Sequence, residues 1–381
     1  MTALNIKIDA ELAQRLAEVL ESRPALRLSG IAQGLAQPQP VAAIHRLGSE
    51  LIEVDCALLA AEVLVLAHRA EPLDAEILAD LVAAFELSGQ RRRAIEAMDK
   101  ARGLVETHPL LSYLRAFNAF FVGDTKTPRR LLPGLQAHRG SRLRFMTQRI
   151  AQMLGRADAV AEHPALEISD RRVGHFVLTG GLWLGESLEE GPSARIIHDR
   201  LQRLATVLDA WGLSVPLVFY PPERSCEILA QVLGHLLGCA TKEWLGHQEH
   251  GLITIFNPAA LIPEISRAFR SINEGQPLFI QAVDPGSEHP VAPDLLGDCS
   301  AVLVPPWGPG FLSGNRYIEP AVGTPAEVAR DLLDSGGGAE ADDLGTLREL
   351  AEALLELPPG LQPTALRKSG PRDPLWVLNA A

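Results

Sequence analysis

Three titratable side chains that could carry acid–base chemistry lie together in the second half of the sequence. Asp284, Glu288 and His289 follow directly after the apolar run Pro277–Val283, a pattern typical of a buried strand. An aspartate and a histidine at a strand end can exchange protons with a bound substrate, so Asp284 and His289 are the candidate catalytic residues. The favoured alternative is an Asx turn, since a Pro-Gly dipeptide follows Asp284.

A glycine-rich stretch is the candidate ligand-binding loop. It begins at Thr179 and continues to Ser187, and its glycines would let backbone amides approach a phosphate closely. The spacing matches neither GxGxxG nor GxxxxGK followed by Ser or Thr, so no complete nucleotide-binding motif is present. Polar residues in the loops after two later strands would extend the same site. The candidate ligand-binding residues are Thr179, Gly180, Gly181, Ser187, Arg224, Ser225 and Asn257.

Other catalytic and metal-binding patterns are incomplete. Ser187 follows Gly185 and Glu186, but Glu189 stands where the GxSxG nucleophile motif needs its second glycine. The HQEH stretch at 247–250 lacks the HExxH spacing, so it predicts a surface loop and not a metal site. We therefore expect no metal and no cofactor.

A block of basic residues interrupts the acidic composition. The formal net charge is −12, yet no Asp or Glu occurs between Asp124 and Asp158. Arg142, Arg149 and Arg156 recur there every seven residues, which places them on one helical stripe and predicts that they face outward. Such a stripe could bind RNA, DNA or an acidic partner. The favoured alternative is a solvated face, or a strip that docks on the acidic C-terminal half. Because aromatic residues for base stacking are scarce, nucleic acid is an unexpected partner.

The loops named above must be positioned by a sheet, and the residues after Pro164 alternate between strand and helix patterns. Apolar runs rich in β-branched and aromatic residues predict strands at 173–179, 215–220, 252–256, 277–283 and 301–304. Helical patterns with a Ser or Asn near their starts cover 193–211, 225–245 and 258–272. This order predicts a mostly parallel sheet in a three-layer Rossmann-like α/β domain, whose ligands bind at the carboxyl ends of the strands.

The front of the chain carries an apolar repeat with a period of 34 residues. Two successive copies match position by position. In each copy, four positions of the first predicted helix are apolar or glycine, and three positions of the second predicted helix are small or apolar. The first copy has Ile44, Leu47, Gly48, Leu51, Ala60, Leu64 and Ala67, and the second has Leu78, Leu81, Val82, Phe85, Ala94, Met98 and Ala101. A third copy is degenerate. Each copy predicts a pair of helices that cross closely at the small residues.

This pattern resembles the tetratricopeptide repeat over about residues 41–142, with flanking helices on either side. The resemblance implies stacked helix pairs that leave an extended groove, and such grooves bind protein or peptide segments. The alternative is that the helices only cover the second domain or form a homodimer interface.

Composition and length limit the class of protein. The chain has 381 residues, of which 47% are hydrophobic, enough for about two domains. We predict an all-α helical-repeat domain at 1–164, an α/β domain at 165–357 and a C-terminal arm at 358–381. The four cysteines are dispersed and the chain has no apolar leader segment, a combination that predicts a cytoplasmic protein. No apolar run reaches about 20 residues, so we expect no membrane span.

Three functional hypotheses follow from these patterns. The first is a cytoplasmic adaptor whose helical groove holds a protein or peptide segment, beside an α/β domain that is non-catalytic or senses a ligand. The second is an enzyme whose α/β domain binds a nucleotide or sugar phosphate while the repeats recruit a protein partner. The third is binding of an anionic polymer by the arginine stripe.

Overall fold

The computed structural model describes most of the chain. The described residues are 5–22, 38–54, 56–138, 141–185, 187–188, 192–246, 249–261, 276–283, 293–300, 305–308, 310–312, 316–318, 323–334 and 340–366. The chain divides into two compact units, residues 1–151 and residues 152–380. The division lies N-terminal to the boundary predicted at residue 164.

The described residues of the first unit form helices and one short pair of strands. Strands β1 (Asn5–Ile6) and β2 (Gln39–Pro40) pair antiparallel. The helices are α1 (Ala10–Ser22), α2 (Val41–Glu53), α3 (Ala57–Ala70), α4 (Ala75–Leu87), α5 (Arg91–Lys100), α6 (Arg102–Thr107), α7 (Pro109–Phe121), α8 (Lys126–Ala137) and α9 (Ser141–Glu162), the last of which continues into the second unit.

The helix boundaries follow the period read from the sequence. Helices α2, α4 and α7 begin 34 residues apart, at Val41, Ala75 and Pro109. The repeated apolar positions are buried, because both helices of each pair turn them toward a common core. A Cβ atom at Gly48 would overlap the side chain of Leu64, so glycine permits the close crossing of α2 and α3 there.

The second unit is built on a parallel sheet. Its strands are β3 (Leu182–Trp183), β4 (Ser187–Leu188), β5 (Leu217–Tyr220), β6 (Ala240–Glu243), β7 (Leu252–Ile255), β8 (Leu278–Val283) and β9 (Leu295–Ser300). The order across the sheet is β3-β9-β8-β7-β5-β6, β4 also pairs with β9, and every pairing is parallel. The predicted parallel sheet of a mixed α/β fold is therefore confirmed.

The described residues of this unit also form helices and a second, short pair of strands. The helices are α10 (Arg171–Thr179), α11 (Ala194–Ala210), α12 (Arg224–Leu237), α13 (Pro325–Asp334) and α14 (Ala341–Leu355). Strands β10 (Gly310–Leu312) and β11 (Arg316–Ile318) pair antiparallel. The predicted α11 is confirmed, including its cap, because the Ser193 hydroxyl accepts a hydrogen bond from the backbone amide of Ile196.

The strand predicted at 173–179 is wrong, since these residues form helix α10. Asp170 caps the helix by accepting a hydrogen bond from the Arg172 amide at 2.7 Å. The buried residues Val173, Phe176 and Val177 recur at helical spacing, and this periodicity outweighs their β-branched content. The sheet begins later, at β3.

The helix predicted at 225–245 is too long. Helix α12 ends at Leu237, because Gly238 adopts a left-handed conformation with φ +66°, and strand β6 follows. The predicted strand at 301–304 and residues 262–272 of the helix predicted at 258–272 lie outside the described residues. The described start of that helix is a short 3-10 turn, Pro258–Ala260.

Candidate functional site

An open cavity lies between the second helix of the first pair and both helices of the next pair. It measures ≈ 320 Å³, within the range of about 300–1,000 Å³ that ligand pockets occupy. Residues from α3, α4 and α5 line it, together with Pro72 in the connection between α3 and α4. A second, smaller cavity adjoins it.

The floor of this cavity is apolar and its rim is charged. Leu81 and Phe85 of α4 form buried parts of the wall, with Val65 and Ala97 beside them. The rim side chains are Arg69, Arg93, Lys100, Glu96 and His68. Three permanent cations therefore face one carboxylate.

Two of the rim cations are uncommitted. Arg69 and Lys100 are exposed and have no ion-pair partner among the residues that the structure describes. The third cation, Arg93, lies 4.6 Å from the centre of the Phe85 ring, so its guanidinium covers part of the apolar wall. The cavity thus offers a positive rim above an apolar floor.

His68 adds a neutral polar group to the same cavity. Burial and, to a lesser extent, the nearby Lys100 ammonium lower the pKa of its imidazole. Its Nδ1 is buried and makes no hydrogen bond to any residue described here.

A second cavity of ≈ 250 Å³ continues from the first along α3, and the two share Val65, Arg69 and Arg93. Helix α1 borders this continuation through Leu12 and Arg15. The Arg15 guanidinium donates to a carboxylate oxygen of Glu62 on α3 at 2.7 Å. Helix α3 therefore already binds one amphipathic helix of the chain beside the open cavity.

A Ser, His and Asp cluster between α2 and α4 does not form a catalytic triad. Asp80 Oδ2 accepts from both Ser49 Oγ at 2.5 Å and His45 Nε2 at 2.9 Å. The serine thus donates to the carboxylate and not to the imidazole, and nothing in this geometry activates its hydroxyl as a nucleophile. The cluster joins the two helices.

In the α/β unit, Arg224, Ser225 and Asn257 lie where the sequence places them, after β5 and β7. After β5 the chain continues to β6 on one side and then to β7 on the other side of β5. Parallel sheets commonly bind ligands at such a switch point, at the carboxyl ends of the strands. The amides at the start of α12 are already occupied, however. Glu223 accepts from the backbone amides of Ser225 and Cys226, both at 2.9 Å.

The Arg224 side chain is also engaged. Its Nη2 donates to the carbonyl oxygen of Gly323 at 3.0 Å, and its Nη1 lies 3.5 Å from the carbonyl of Trp307. Glu223 therefore places a negative charge where a phosphate would bind, and Arg224 holds two backbone segments. These contacts favour a structural role for both residues.

Replacing Glu223 with alanine tests this role. We expect the variant to lose about 1 kcal/mol of stability, the usual cost of removing a helix N-cap. Urea unfolding followed by tryptophan fluorescence measures the loss. Glu227→Ala, an exchange on the same helix without the cap contacts, is the matched control. Equal stability of Glu223→Ala and wild type would show that the cap contributes nothing.

The predicted position of the glycine-rich loop at the carboxyl end of a strand is wrong. Thr179, Gly180 and Gly181 end α10 and precede β3, so they lie at the amino end of the sheet, away from Arg224 and Asn257. Gly180 adopts φ +80°, and its carbonyl accepts from the Thr364 amide at 2.9 Å. The end of a helix presents carbonyl groups, which repel a phosphate.

The outward orientation predicted for the arginine stripe is wrong for Arg149 and Arg156. Arg149 and Arg156 are 4% and 1% exposed. The Arg149 guanidinium lies 4.6 Å from the ring centre of Phe117, and Arg156 Nε donates to the Val177 carbonyl at 2.9 Å. Aromatic and carbonyl partners therefore draw both side chains inward. The side chain of Arg142 is outside the described part of the chain.

The described part of the chain does not test the remaining catalytic candidates. Asp284 and His289 lie outside the described residues, and of Ser187 only the backbone, in β4, is described.

Burial raises the pKa of the Cys226 thiol and raises that of Cys299 to about 12, so both are protonated at neutral pH. No three or more His, Cys, Asp or Glu among the described positions are arranged to hold a metal ion. Nor does any described helix have the length and apolar character needed to cross a membrane.

One sequence pattern in the cavity wall belongs to none of the catalytic or binding motifs considered above. Arg93, Glu96, Ala97 and Lys100 recur at i, i+3, i+4 and i+7, so they form one face of α5. A charged helix face of this kind is usually solvated. The cavity forms because α3 and α4 pack beside this face, and the sequence pattern of α5 alone does not predict that packing.

Comparison with known proteins adds no functional assignment. No protein-family model matches the chain, and no curated protein shows significant sequence similarity to it. The sites described above are therefore the basis for a functional proposal.

Proposed function

We propose that the protein is a cytoplasmic adaptor whose helical unit, a tetratricopeptide-like array, holds a segment of a protein partner. The observation that carries the proposal is the open cavity between α3, α4 and α5, with its apolar floor and uncommitted cations. The regular spacing of the helix starts and the close crossing at Gly48 support the tetratricopeptide-like assignment.

For the α/β unit we propose a Rossmann-like fold that supplies a second binding surface without chemistry. The strand order β6-β5-β7-β8-β9 corresponds to the 2-1-3-4-5 order of doubly wound folds. Glu223 and Arg224 fill the position where such folds usually bind phosphate, and this supports the non-catalytic interpretation over an enzyme acting on a nucleotide or sugar phosphate.

A peptide selection tests the adaptor function. The full-length protein is used to select from a phage-displayed library of short random peptides, and the recovered peptides are measured by fluorescence anisotropy. Ala97→Trp fills the cavity from its α5 wall, so we expect it to abolish binding of the peptides that wild type selects. Ala42→Trp places the same side chain on an exposed position of α2 and should leave binding unchanged.

Folding of both variants is checked by circular dichroism, and Arg69→Trp provides a second obstruction at the exposed rim if Ala97→Trp unfolds. Peptides that bind wild type and both cavity variants equally would contradict the proposal. Failure of wild type to select any peptide would contradict it as well.

A further inference from the structure

We propose that the segment held in the helical cavity is acidic and inserts one large apolar side chain. This inference rests on the proposed function and adds the chemistry of the partner. It follows from the charge of the rim, the composition of the floor and the packing of the neighbouring helix.

Charge complementarity determines the sign of the partner. Arg69, Arg93 and Lys100 stand around the mouth of the cavity against the single carboxylate of Glu96. Because Arg69 and Lys100 have no ion-pair partner among the described residues, carboxylates of a partner could pair with them without displacing a contact of the chain. Opposite charges at the rim of an interface speed association and exclude partners of the wrong sign.

The apolar floor of the cavity determines which side chain of the partner lies between the partner's carboxylates. Leu81 and Phe85 are 1% and 3% exposed and form an apolar surface with Val65 and Ala97. A cavity of ≈ 320 Å³ has room for a large apolar side chain, and burial of one such side chain contributes about 1.5–3 kcal/mol. An aliphatic or aromatic residue flanked by Asp or Glu therefore fits both the floor and the rim.

Helix α1 shows a comparable combination of apolar insertion and an edge ion pair within the chain, with the charges reversed, because α1 supplies the cation and α3 the carboxylate. It packs beside α3 with buried Leu12 and Leu16, while Arg15 at its edge pairs with Glu62. The open cavity continues from this interface through the shared residues Val65 and Arg69. A partner segment would extend an existing combination of apolar insertion and an ion pair at the rim.

The cavity is less suited to nucleic acid. Binding of single strands depends on aromatic rings that are free to stack on bases. Phe85 is buried, and the Arg93 guanidinium lies over its ring. The carboxylate of Glu96 would in addition repel a phosphate chain.

A charge reversal tests the proposal. Peptides are selected with wild type, with the double variant Arg69→Glu/Lys100→Glu, and with the control Arg46→Glu/Arg92→Glu. The control changes the net charge equally at exposed positions outside the cavity. We expect wild type and control to select peptides in which Asp or Glu flanks a large apolar residue. The double variant should bind these peptides about tenfold more weakly at about 0.05 M salt, and the difference should shrink at about 0.5 M salt.

The outcomes separate this inference from the function it rests on. Cavity-dependent peptides that are neutral or basic, or that bind the charge-reversed variant as tightly as wild type, would overturn the inference and leave the adaptor function standing. A fluorescein-labelled uridine oligonucleotide is measured alongside, and tighter binding of that probe at the same cavity would also overturn it. If wild type selects no peptide that Ala97→Trp excludes, the adaptor function itself fails.

Discussion

Replacing Asp298 with alanine should lower the free energy of unfolding of the α/β unit by about 1–3 kcal/mol, as expected when buried donors lose their hydrogen-bond acceptor. Asp298 is fully buried. Its Oδ1 accepts from Arg200 Nε at 2.8 Å, and its Oδ2 accepts from Gln281 Nε2 at 3.1 Å. The alanine variant leaves the Gln281 amide without this acceptor and leaves Arg200 with its other ion-pair partner, the Asp199 carboxylate.

Urea unfolding measures this loss, and tryptophan fluorescence reports it for one unit alone. All five tryptophans lie beyond residue 152. The control is Asp209→Ala, which breaks an exposed ion pair with Arg348 and should cost at most about 1 kcal/mol. A loss for Asp298→Ala no larger than that of the control would contradict a stabilising role for the buried pair.

A second large effect concerns pH. His175 is 1% exposed, and burial, with a further contribution from the Arg156 cation, lowers the pKa of its imidazole to about 4. Between the unfolded pKa of 6.5 and this folded value, the unfolded chain binds a proton that the folded chain does not. Stability due to His175 is therefore complete above pH 6.5 and is lost as the pH falls toward 4.

The expected loss from His175 is about 2 kcal/mol between about pH 7.5 and about pH 5. His175→Phe keeps a ring of similar shape and cannot titrate, so its pH dependence should be flatter than that of wild type by this amount. His235→Gln, an exchange at an exposed position of α12, is the control. Urea unfolding at both pH values gives the comparison, and identical pH dependence of wild type and His175→Phe would refute the assignment.

The helical unit follows from its sequence more completely than the α/β unit does. The period of 34 residues places the starts of α2, α4 and α7, because each repeat uses the same local pattern of large and small residues. The strands of the sheet depend more on contacts between residues that are distant in the sequence. Residues 173–179 have strand-like composition but form α10, since their apolar side chains face one side of a helix.

The candidate sites show the same limit. The loops after β5 and β7 are correctly placed at the sheet, yet nothing in a motif shows that Glu223 occupies the amides of α12. The heptad spacing of Arg149 and Arg156 defines a stripe correctly, but the partners that turn it inward, Phe117 and the carbonyl of Val177, come from other helices. Burial of this kind depends on tertiary packing.

The most direct test of the account is to locate a bound peptide by methyl NMR of the full-length protein. Titration with an acidic peptide selected by wild type should shift or broaden the methyl signals of Val65 and Leu81, which lie in the cavity wall. Signals of Val218 and Ile253, in the sheet of the other unit, should stay unchanged. Changes confined to the α/β unit, with Val65 and Leu81 unaffected, would contradict a binding function of the helical cavity.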